Sequence, residues 1–307
     1  MRSSTSAEGV VMDGRSSRRI VVGVDGSKSA LVAVRWAARE AVRRRCELAA
    51  VHVYGWTGPG MVSDPEIWVQ YLELIRRAAA RCLDEAAAEA ADAAPDVEVV
   101  PRSVEGSPEP VLRAEADHAE LVVVGARGAG GFVGMLLGSV ATSLVVRSPC
   151  PVVVVRDAPR PEDAPVVVGV DGSPASEAAL AFAFEETSAL GAPLVAVHTW
   201  WDLLVEPVLA PLLDWDAIET DERQVLAERL AGWSAKYPDV DVRRVVTRDR
   251  PAHALLEQSE TARLVVVGSR GRGTTAGMLL GSVGRALVNH AACSVAVVKP
   301  TAGDGGE

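Results

Sequence analysis

The sequence predicts an α/β protein of two tandem Rossmann-like domains, each a parallel sheet covered by helices, and two observations carry this prediction. The first is an internal duplication: Val-Val-Gly-Val-Asp-Gly-Ser stands at Val21–Ser27 and Val167–Ser173, and Gly-Met-Leu-Leu-Gly-Ser-Val at Gly134–Val140 and Gly277–Val283. The second is a regular alternation of Val-rich runs with helical segments. Strings that return in the same order at nearly the same separation indicate two like domains, so a site in one half is expected in the other.

Ten short apolar runs are the candidate strands. Runs of β-branched residues without polar alternation are typical of parallel strands that helices cover on both faces. They are Ile20–Val24, Leu48–Val53, Val97–Val100, Leu121–Val124 and Val152–Val155 in the first half, and Val166–Val170, Leu194–Val197, Val240–Val246, Leu264–Val267 and Val295–Val298 in the second.

Eight helices are predicted between these strands, from apolar residues at helical spacing and from prolines at first turns. They are Ala30–Arg45, Asp64–Ala91, Pro108–Asp117, Gly138–Arg147, Ala175–Leu190, Asp214–Lys236, Pro251–Ser259 and Gly281–His290. Each half therefore reads β-α-β-α-β-α-β-α-β, a parallel α/β sandwich.

The 307 residues divide into two domains of ordinary size. The predicted boundaries are a disordered tail over 1–18, the first domain over 19–157, a linker over 158–164, the second domain over 165–299 and a tail over 300–307. Three prolines between residues 156 and 165 mark the linker.

Composition narrows the class of protein. The formal charge of −10 argues against a protein that binds nucleic acid through its phosphate backbone, which requires a basic face. No apolar run approaches the ~20 residues of a membrane helix, and the first residues lack the apolar core of a secretory signal. The four cysteines form no C-x-x-C pair, as expected of a reducing compartment. We therefore expect a cytoplasmic protein.

A glycine-rich constellation follows the fourth strand of each half and carries the most informative chemistry. Glycines let a backbone approach a ligand closely, and a helix N-terminus offers unpaired N–H groups with the positive end of the dipole. The spacing is the same in both copies: Gly125, Gly128, Gly138 and Ser139 in the first half, and Gly268, Gly271, Gly281 and Ser282 in the second. The pattern favours a phosphate site over a simple strand-to-helix turn.

Polar side chains of this constellation have two interpretations. Ser139 and Ser282 either cap the following helix or donate to a phosphate oxygen. The guanidinium groups of Arg127, Arg270 and Arg272 can add charge-assisted contacts to an anion.

Asp25 and Asp171 directly follow the first strand of each half. Either they cap the next helix locally, or they accept hydrogen bonds from a ribose hydroxyl or a base edge. Ligands of open α/β sheets bind beyond the carboxyl ends of the strands, where strand order reverses. If the first and fourth strands are neighbours, the aspartate and the glycine loop face one crevice, which suits a nucleotide.

The aspartate after the first strand, the G-x2-G-x9-G-[ST] signature after the fourth, and a helix leading into Pro-Cys-Pro-Val-Val-Val-Val at 149–155 resemble the universal stress protein family. The resemblance spans residues 19–157 and 164–299. It implies strand order 3-2-1-4-5 and ATP, with Mg²⁺ as an optional companion, in each half. It also implies a homodimer formed through the last strand, Pro151–Arg156 or Ser294–Lys299, for which an unpaired sheet edge gives a physical reason.

Carried over residue by residue, the resemblance assigns ribose to the aspartate, adenine to the end of the second strand and phosphates to the glycine loop. The implied nucleotide-binding residues are Gly23, Asp25, Gly125, Arg127, Gly128, Gly138, Ser139 and Val140 in the first half, and Gly169, Asp171, Gly268, Arg270, Gly271, Gly281, Ser282 and Val283 in the second.

Other residues near the strand ends are open to two interpretations. His52 and His198 lie near the end of the second strand of each half and either pack or line the adenine pocket. Aromatic residues follow them and either pack or cover a base: Tyr54, Trp56 and Trp68 in the first half, Trp200, Trp201 and Trp215 in the second.

The predicted function is ATP binding with a regulatory role in stress response or growth control, through a protein partner that the sequence does not identify. One alternative is a slow ATPase or a phosphoryl- or adenylyl-transferring enzyme. The sequence has no G-x4-G-K-[ST] loop and no set of magnesium carboxylates, which counts against it. A second alternative is an interaction module without nucleotide, and AMP or cyclic AMP remain alternatives to ATP.

Overall fold

The computed structural model describes residues 18–55, 65–129, 137–161, 163–200, 214–272 and 279–300. Residues 1–17 and 301–307, nearly all of the two predicted tails, lie outside the described residues. The elements of the first half are β1 (Arg19–Val24), α1 (Lys28–Arg44), β2 (Glu47–Tyr54), α2 (Pro65–Ala93), β3 (Val99–Glu105), α3 (Pro108–Ala116), β4 (Leu121–Gly125), α4 (Ser139–Arg147) and β5 (Val152–Val155). Those of the second are β6 (Val166–Gly169), α5 (Pro174–Leu190), β7 (Leu194–Thr199), α6 (Trp215–Lys236), β8 (Val242–Thr247), α7 (Pro251–Ser259), β9 (Leu264–Gly268), α8 (Ser282–His290) and β10 (Ser294–Val298).

The strands form one continuous sheet in the order β3-β2-β1-β4-β5-β10-β9-β6-β7-β8. Within each half all pairings are parallel and follow the order 3-2-1-4-5, which confirms the predicted α/β fold. Apolar side chains that alternate along β1 enter two cores, one on each face of the sheet: Ile20 and Val22 point to one and Val21 to the other. The Val-rich runs are buried on both sides, as their composition predicts.

The two halves are joined at β5 and β10, which pair antiparallel within the chain. Val153 lies opposite Ala296, and Val152 opposite Val297. The expectation that the last strand of a domain is an unpaired edge, free to pair with a second chain, is therefore wrong. Each half already supplies the partner strand that the other half's edge requires.

The third strand of the first half also differs from its prediction. Val97–Val100 was expected from its apolar run, whereas β3 begins at Val99 and continues to Glu105. This strand lies at one edge of the sheet, where its residues alternate between half-buried and exposed. An edge position also accommodates Pro101, which has no N–H for a ladder hydrogen bond.

Two basic residues bind each half to a helix of the other. Arg156, directly after β5, donates from Nη2 to the Val288 carbonyl oxygen near the end of α8, at 2.6 Å. Lys299, directly after β10, donates from Nζ to the Val146 carbonyl oxygen at 3.1 Å and to that of Ser148, at the end of α4. Cations are favourable at helix C-termini, where carbonyl oxygens lack intrahelical partners. The contacts are reciprocal, as the duplication requires.

A buried charge cluster lies where α1 meets α5. Glu40 and Glu186 are 1% and 2% exposed, and both contact Arg43 and Arg44 of α1. Burial and the neighbouring Glu40 carboxylate raise the pKa of Glu186 to about 8. The pKa of Glu40 is held at about 2 by its hydrogen bond to Glu186 and by the two arginines, which outweigh its burial. The two carboxyl groups thus hold one proton between them at neutral pH.

This proton makes stability depend on pH. Because the pKa of Glu186 is higher in the folded chain than in the unfolded one, its contribution is complete below the ordinary glutamate pKa and is lost as pH rises toward 8. We expect the free energy of unfolding to fall by up to about 1.4 kcal/mol per pH unit in that window. Glu186→Gln, which keeps a neutral side chain at all pH values, should flatten the profile in denaturant titrations from pH 5 to 8.

The matched control is Glu73→Gln, which removes an exposed carboxylate of α2 paired with Arg77. Its profile should remain parallel to that of the wild type. Equal slopes for the wild type and Glu186→Gln would contradict the assignment.

Candidate functional site

A cavity of about 380 Å³ opens at the carboxyl ends of β1 and β4 in the first half. These two strands are neighbours, and they are also where strand order reverses, the usual ligand position of such sheets. All eight residues named from the first-half sequence line this cavity: Gly23, Asp25, Gly125, Arg127, Gly128, Gly138, Ser139 and Val140. Its volume lies within the usual range of small-molecule pockets.

Asp25 links the end of β1 to the glycine loop. Its Oδ1 accepts from the Ser27 N–H at 3.0 Å, and its Oδ2 accepts from the Ala129 N–H at 2.7 Å. The helix cap is made instead by Ser27, whose Oγ accepts from the Ala30 N–H at 3.1 Å. Asp25 is exposed, and a carboxylate has about four acceptor positions, so capacity remains for a ligand.

The second half repeats this connection. Asp171 accepts from the Ser173 N–H at 2.9 Å and from the Arg272 N–H at 3.1 Å. Ser173 caps α5 by accepting from the Ser176 N–H at 3.2 Å. The equivalent residues are thus brought together in both halves.

Four of the predicted glycines are required by the packing of the protein itself, and one of them is Gly271, where a Cβ would overlap Asp171 Oδ2. A Cβ at Gly125 would lie 2.6 Å from the Ser29 carbonyl oxygen, and one at Gly268 would lie 2.7 Å from that of Ala175. A Cβ at Gly128 would lie 2.6 Å from Asp25 Oδ2. These glycines allow the fourth strand and its loop to lie directly against the first helix and the aspartate.

Gly138 is different. A Cβ built on it would lie 3.7 Å from the Gly128 nitrogen, its nearest neighbour, which is ordinary van der Waals contact. Its φ of −72° and ψ of 155° suit any residue. The described part of the protein therefore gives no packing reason for a glycine at this position, which lines the cavity.

Helices α4 and α8 begin at the crevices of the first and second half, respectively, without a side-chain cap. Their N-cap residues are Gly138 and Gly281, and among the described residues no side chain caps either first turn. Ser139 and Ser282 lie one position inside the helices and are exposed, so they do not act as caps. The positive end of the α4 dipole therefore faces the cavity.

The resemblance indicated the end of the second strand as one wall of the cavity, but sequence reasoning missed the wall that α3 supplies. Leu112 and Pro108 of α3 line the cavity together with Val51 and Val53 of β2. Leu112 also explains Gly23, since a Cβ there would lie 3.1 Å from Leu112 Cδ1. The only sequence signal was the proline-initiated third helix, whose crossing over β1 brings its first turns to the site.

The paired histidines have structural contacts. His52 Nδ1 lies 2.8 Å from the Val24 carbonyl oxygen, and His198 Nδ1 lies 2.7 Å from that of Val170. His198 is 4% exposed, and its Nε2 lies 2.9 Å from a carboxylate oxygen of Glu222. These bonds tie the second strand of each half to the end of the first, which agrees with the packing interpretation.

The aromatic residues pair differently in the two halves. Trp68 stacks on Tyr71 within α2, with ring centroids 5.9 Å apart. Trp215 of α6 stacks instead on Trp200 at the end of β7, at 6.0 Å. Trp56 and Trp201 lie outside the described residues.

Neither a metal centre nor a membrane-spanning helix is found in the part of the chain that the structure describes. Its residues contain no group of three or more His, Cys, Asp or Glu side chains suited to hold a metal ion. They also contain no helix with the length and apolar character needed to span a bilayer.

Comparison with known proteins agrees with this architecture. The family model of the universal stress proteins matches residues 16–156 and 164–299. Universal stress protein Rv2623 of Mycobacterium tuberculosis is 44% identical over 296 residues, which cover 93% of this chain and 98% of that protein. Universal stress protein Rv2005c of the same species is 45% identical over 292 residues, with coverage of 93% and 98%.

A solved structure shares the fold. The crystal structure of a universal stress protein from Archaeoglobus fulgidus superposes with a TM-score of 0.68 at 22% identity and covers 93% of this chain and 97% of its own. Two matches to the family model, relatives above 40% identity along nearly the whole chain, and the same fold show that this chain belongs to the universal stress protein family.

Proposed function

We propose that this chain is a nucleotide-binding regulatory protein, with one ATP site at the carboxyl edge of each half. The observation that carries the proposal is Gly138, a glycine that lines a cavity and that the described packing of the protein does not require. A backbone that is left bare beside an open helix N-terminus suits a phosphate group, which needs close approach to N–H donors.

The two ends of the cavity suit the two ends of a nucleotide. The glycine loop, the first turn of α4 and the Arg127 guanidinium supply donors and positive charge at one end. Val51, Val53 and Leu112 supply apolar walls for a base at the other. Asp25 lines the same cavity, is bonded to the glycine loop through the Ala129 N–H, and has acceptor capacity for ribose hydroxyls.

Magnesium has a limited place in this proposal. Among the described residues that line the cavity, Asp25 is the only carboxylate, and both its oxygens already accept backbone N–H groups. These residues thus suit a cation that arrives on the phosphates of ATP better than a dedicated protein site. The bound cation would neutralise phosphate charge there.

In this proposal, nucleotide occupancy regulates the protein through the stability of its folded form. A ligand that binds only the folded form stabilises it by RT ln(1 + [L]/Kd), about 4 kcal/mol for millimolar ATP over micromolar affinity. ATP would thereby stabilise the folded form that a protein partner recognises. The cytoplasmic location and the homodimer remain predictions, and a dimer must use a surface other than β5 and β10.

The first test identifies the ligand. The full chain, purified without added nucleotide, is denatured, and the released small molecules are quantified by mass spectrometry. We expect up to two ATP per chain. Absence of released nucleotide, together with no calorimetric signal on titration with ATP, AMP or cyclic AMP, would remove the nucleotide proposal.

Gly138→Ala tests the phosphate position. Because the protein without ligand accommodates the added methyl group, its melting temperature should change little, while the affinity of the first half should fall about tenfold or more from overlap with the ligand. Calorimetry with ATP measures the change. Gly232→Ala, in α6 with nothing within 4 Å of its Cβ, is the control and should leave both binding events intact. Full retention of affinity in Gly138→Ala would place the phosphates elsewhere.

Asp25→Ala and Asp171→Ala test the sugar position, one half at a time. Loss of a charged acceptor costs about 1.5–3 kcal/mol, so each variant should weaken one of two binding events by about tenfold or more. Asp239→Ala, which removes an exposed carboxylate bonded to Ser188 on α5, serves as the control. Affinities that do not change in either aspartate variant would exclude the ribose assignment.

A further inference from the structure

The two crevices differ in charge at structurally equivalent positions. Four residues around the second crevice are arginines where the first has a neutral or acidic residue. The pairs, first half before second, are Ala86 and Arg229, Glu105 and Arg248, Ser107 and Arg250, and Ala129 and Arg272.

The clearest equivalence is at the glycine loop. The N–H of Ala129 donates to Asp25 and the N–H of Arg272 donates to Asp171, so the two residues occupy the same position. Arg272 is exposed and stands two residues after Arg270. The second loop therefore carries two guanidinium groups where the first carries only Arg127.

A further cation reaches the aspartate turn of the second half. The Arg229 guanidinium lies against Gly172, so closely that a Cβ on that glycine would overlap it. In the first half Cys82 lies at the equivalent Gly26. Arg229 has one distant carboxylate partner, Glu177 at 3.4 Å, and its buried Nε has no hydrogen-bond partner among the described residues.

The two halves also have opposite charge at the rim of the crevice, by which we mean the segment from the end of the third strand to the first turn of the third helix of each half. The first half carries Glu105 and Glu109 there. The second carries Arg248, whose guanidinium lies 3.6 Å from the centroid of the Trp215 ring, and Arg250 at the N-cap of α7.

Four differences act against this contrast without cancelling it. Glu222 places a carboxylate 2.9 Å from His198 Nε2, where the first half has Ala79. Asp249 on the second rim is engaged by His253 at 2.6 Å and by the Arg250 N–H. The first half has Lys28 where the second has Pro174, and Glu177 faces Arg229. The four added arginines and the loss of both rim glutamates change the charge of the second crevice by more than these differences do.

We propose that the second half is the site selective for nucleoside triphosphates, whereas the first half distinguishes little between a triphosphate and a monophosphate. This inference rests on the proposed nucleotide function and assigns different ligand charge to its two sites. Arg270 and Arg272 meet the additional phosphates directly, and Arg229, Arg248 and Arg250 raise the local positive potential.

The test compares ATP with AMP at each site of the full chain by calorimetry. The Asp171→Ala background isolates the first site, and the Gly138→Ala background isolates the second. We expect the ratio of ATP affinity to AMP affinity to be about tenfold or more larger at the second site. There, Arg272→Ala should lower ATP affinity about tenfold and leave AMP affinity within about twofold. Ala129→Arg should produce the reverse change at the first site.

Arg244→Ala is the control, since it removes an exposed arginine from the middle of β8 and changes net charge equally. It should leave both ratios unchanged. Equal ratios at the two sites, or an Arg272→Ala variant that weakens ATP and AMP alike, would overturn this inference while the nucleotide proposal stands. A wild type that binds neither ligand would remove the nucleotide proposal and this inference with it.

Discussion

The antiparallel pairing of β5 with β10 is the interaction on which the rest of the architecture depends. It joins two five-stranded parallel sheets into one sheet of ten and removes an exposed edge from each half. It also sets the relative position of the halves, which brings Glu40 of α1 and Glu186 of α5 into one buried cluster. Among the described strands, the sheet edges that remain are β3 and β8, which carry proline or arginine side chains that discourage further pairing.

The elements that sequence reasoning located well are those whose burial is complete. The bounds predicted from the Val-rich runs and from the proline-initiated helices agree with the observed bounds within a few residues. The strands were predictable because a strand covered on both faces has a continuous apolar sequence. The predicted range of β3 was displaced because an edge strand is half exposed, so its polar residues interrupt the apolar run by which a strand is recognised. The intramolecular pairing of the last strands was not predictable, since it depends on how two domains meet and no local pattern records that.

The site shows the same division between local and long-range information. The glycine signature and Asp25 are local features, and they indicated one wall of the crevice. Leu112 and Pro108 come from a helix that reaches the site only by crossing the sheet, so sequence spacing does not reveal them. The structure also distinguishes glycines that the sequence does not. At Gly125 a side chain would overlap the backbone of Ser29, whereas at Gly138 it would overlap no described neighbour.

The reciprocal contacts of Arg156 and Lys299 have a consequence for how this chain can be divided. Each cation holds the far end of the helix whose opposite end opens onto the other half's crevice. A half expressed alone would lose that anchor, expose its last strand and leave one member of the buried glutamate pair with altered surroundings. Each half therefore depends on contacts that the other supplies, and gene fragments that end at the linker are poor starting points for dissecting the two sites. Point substitutions in the intact chain preserve the environment that each crevice requires.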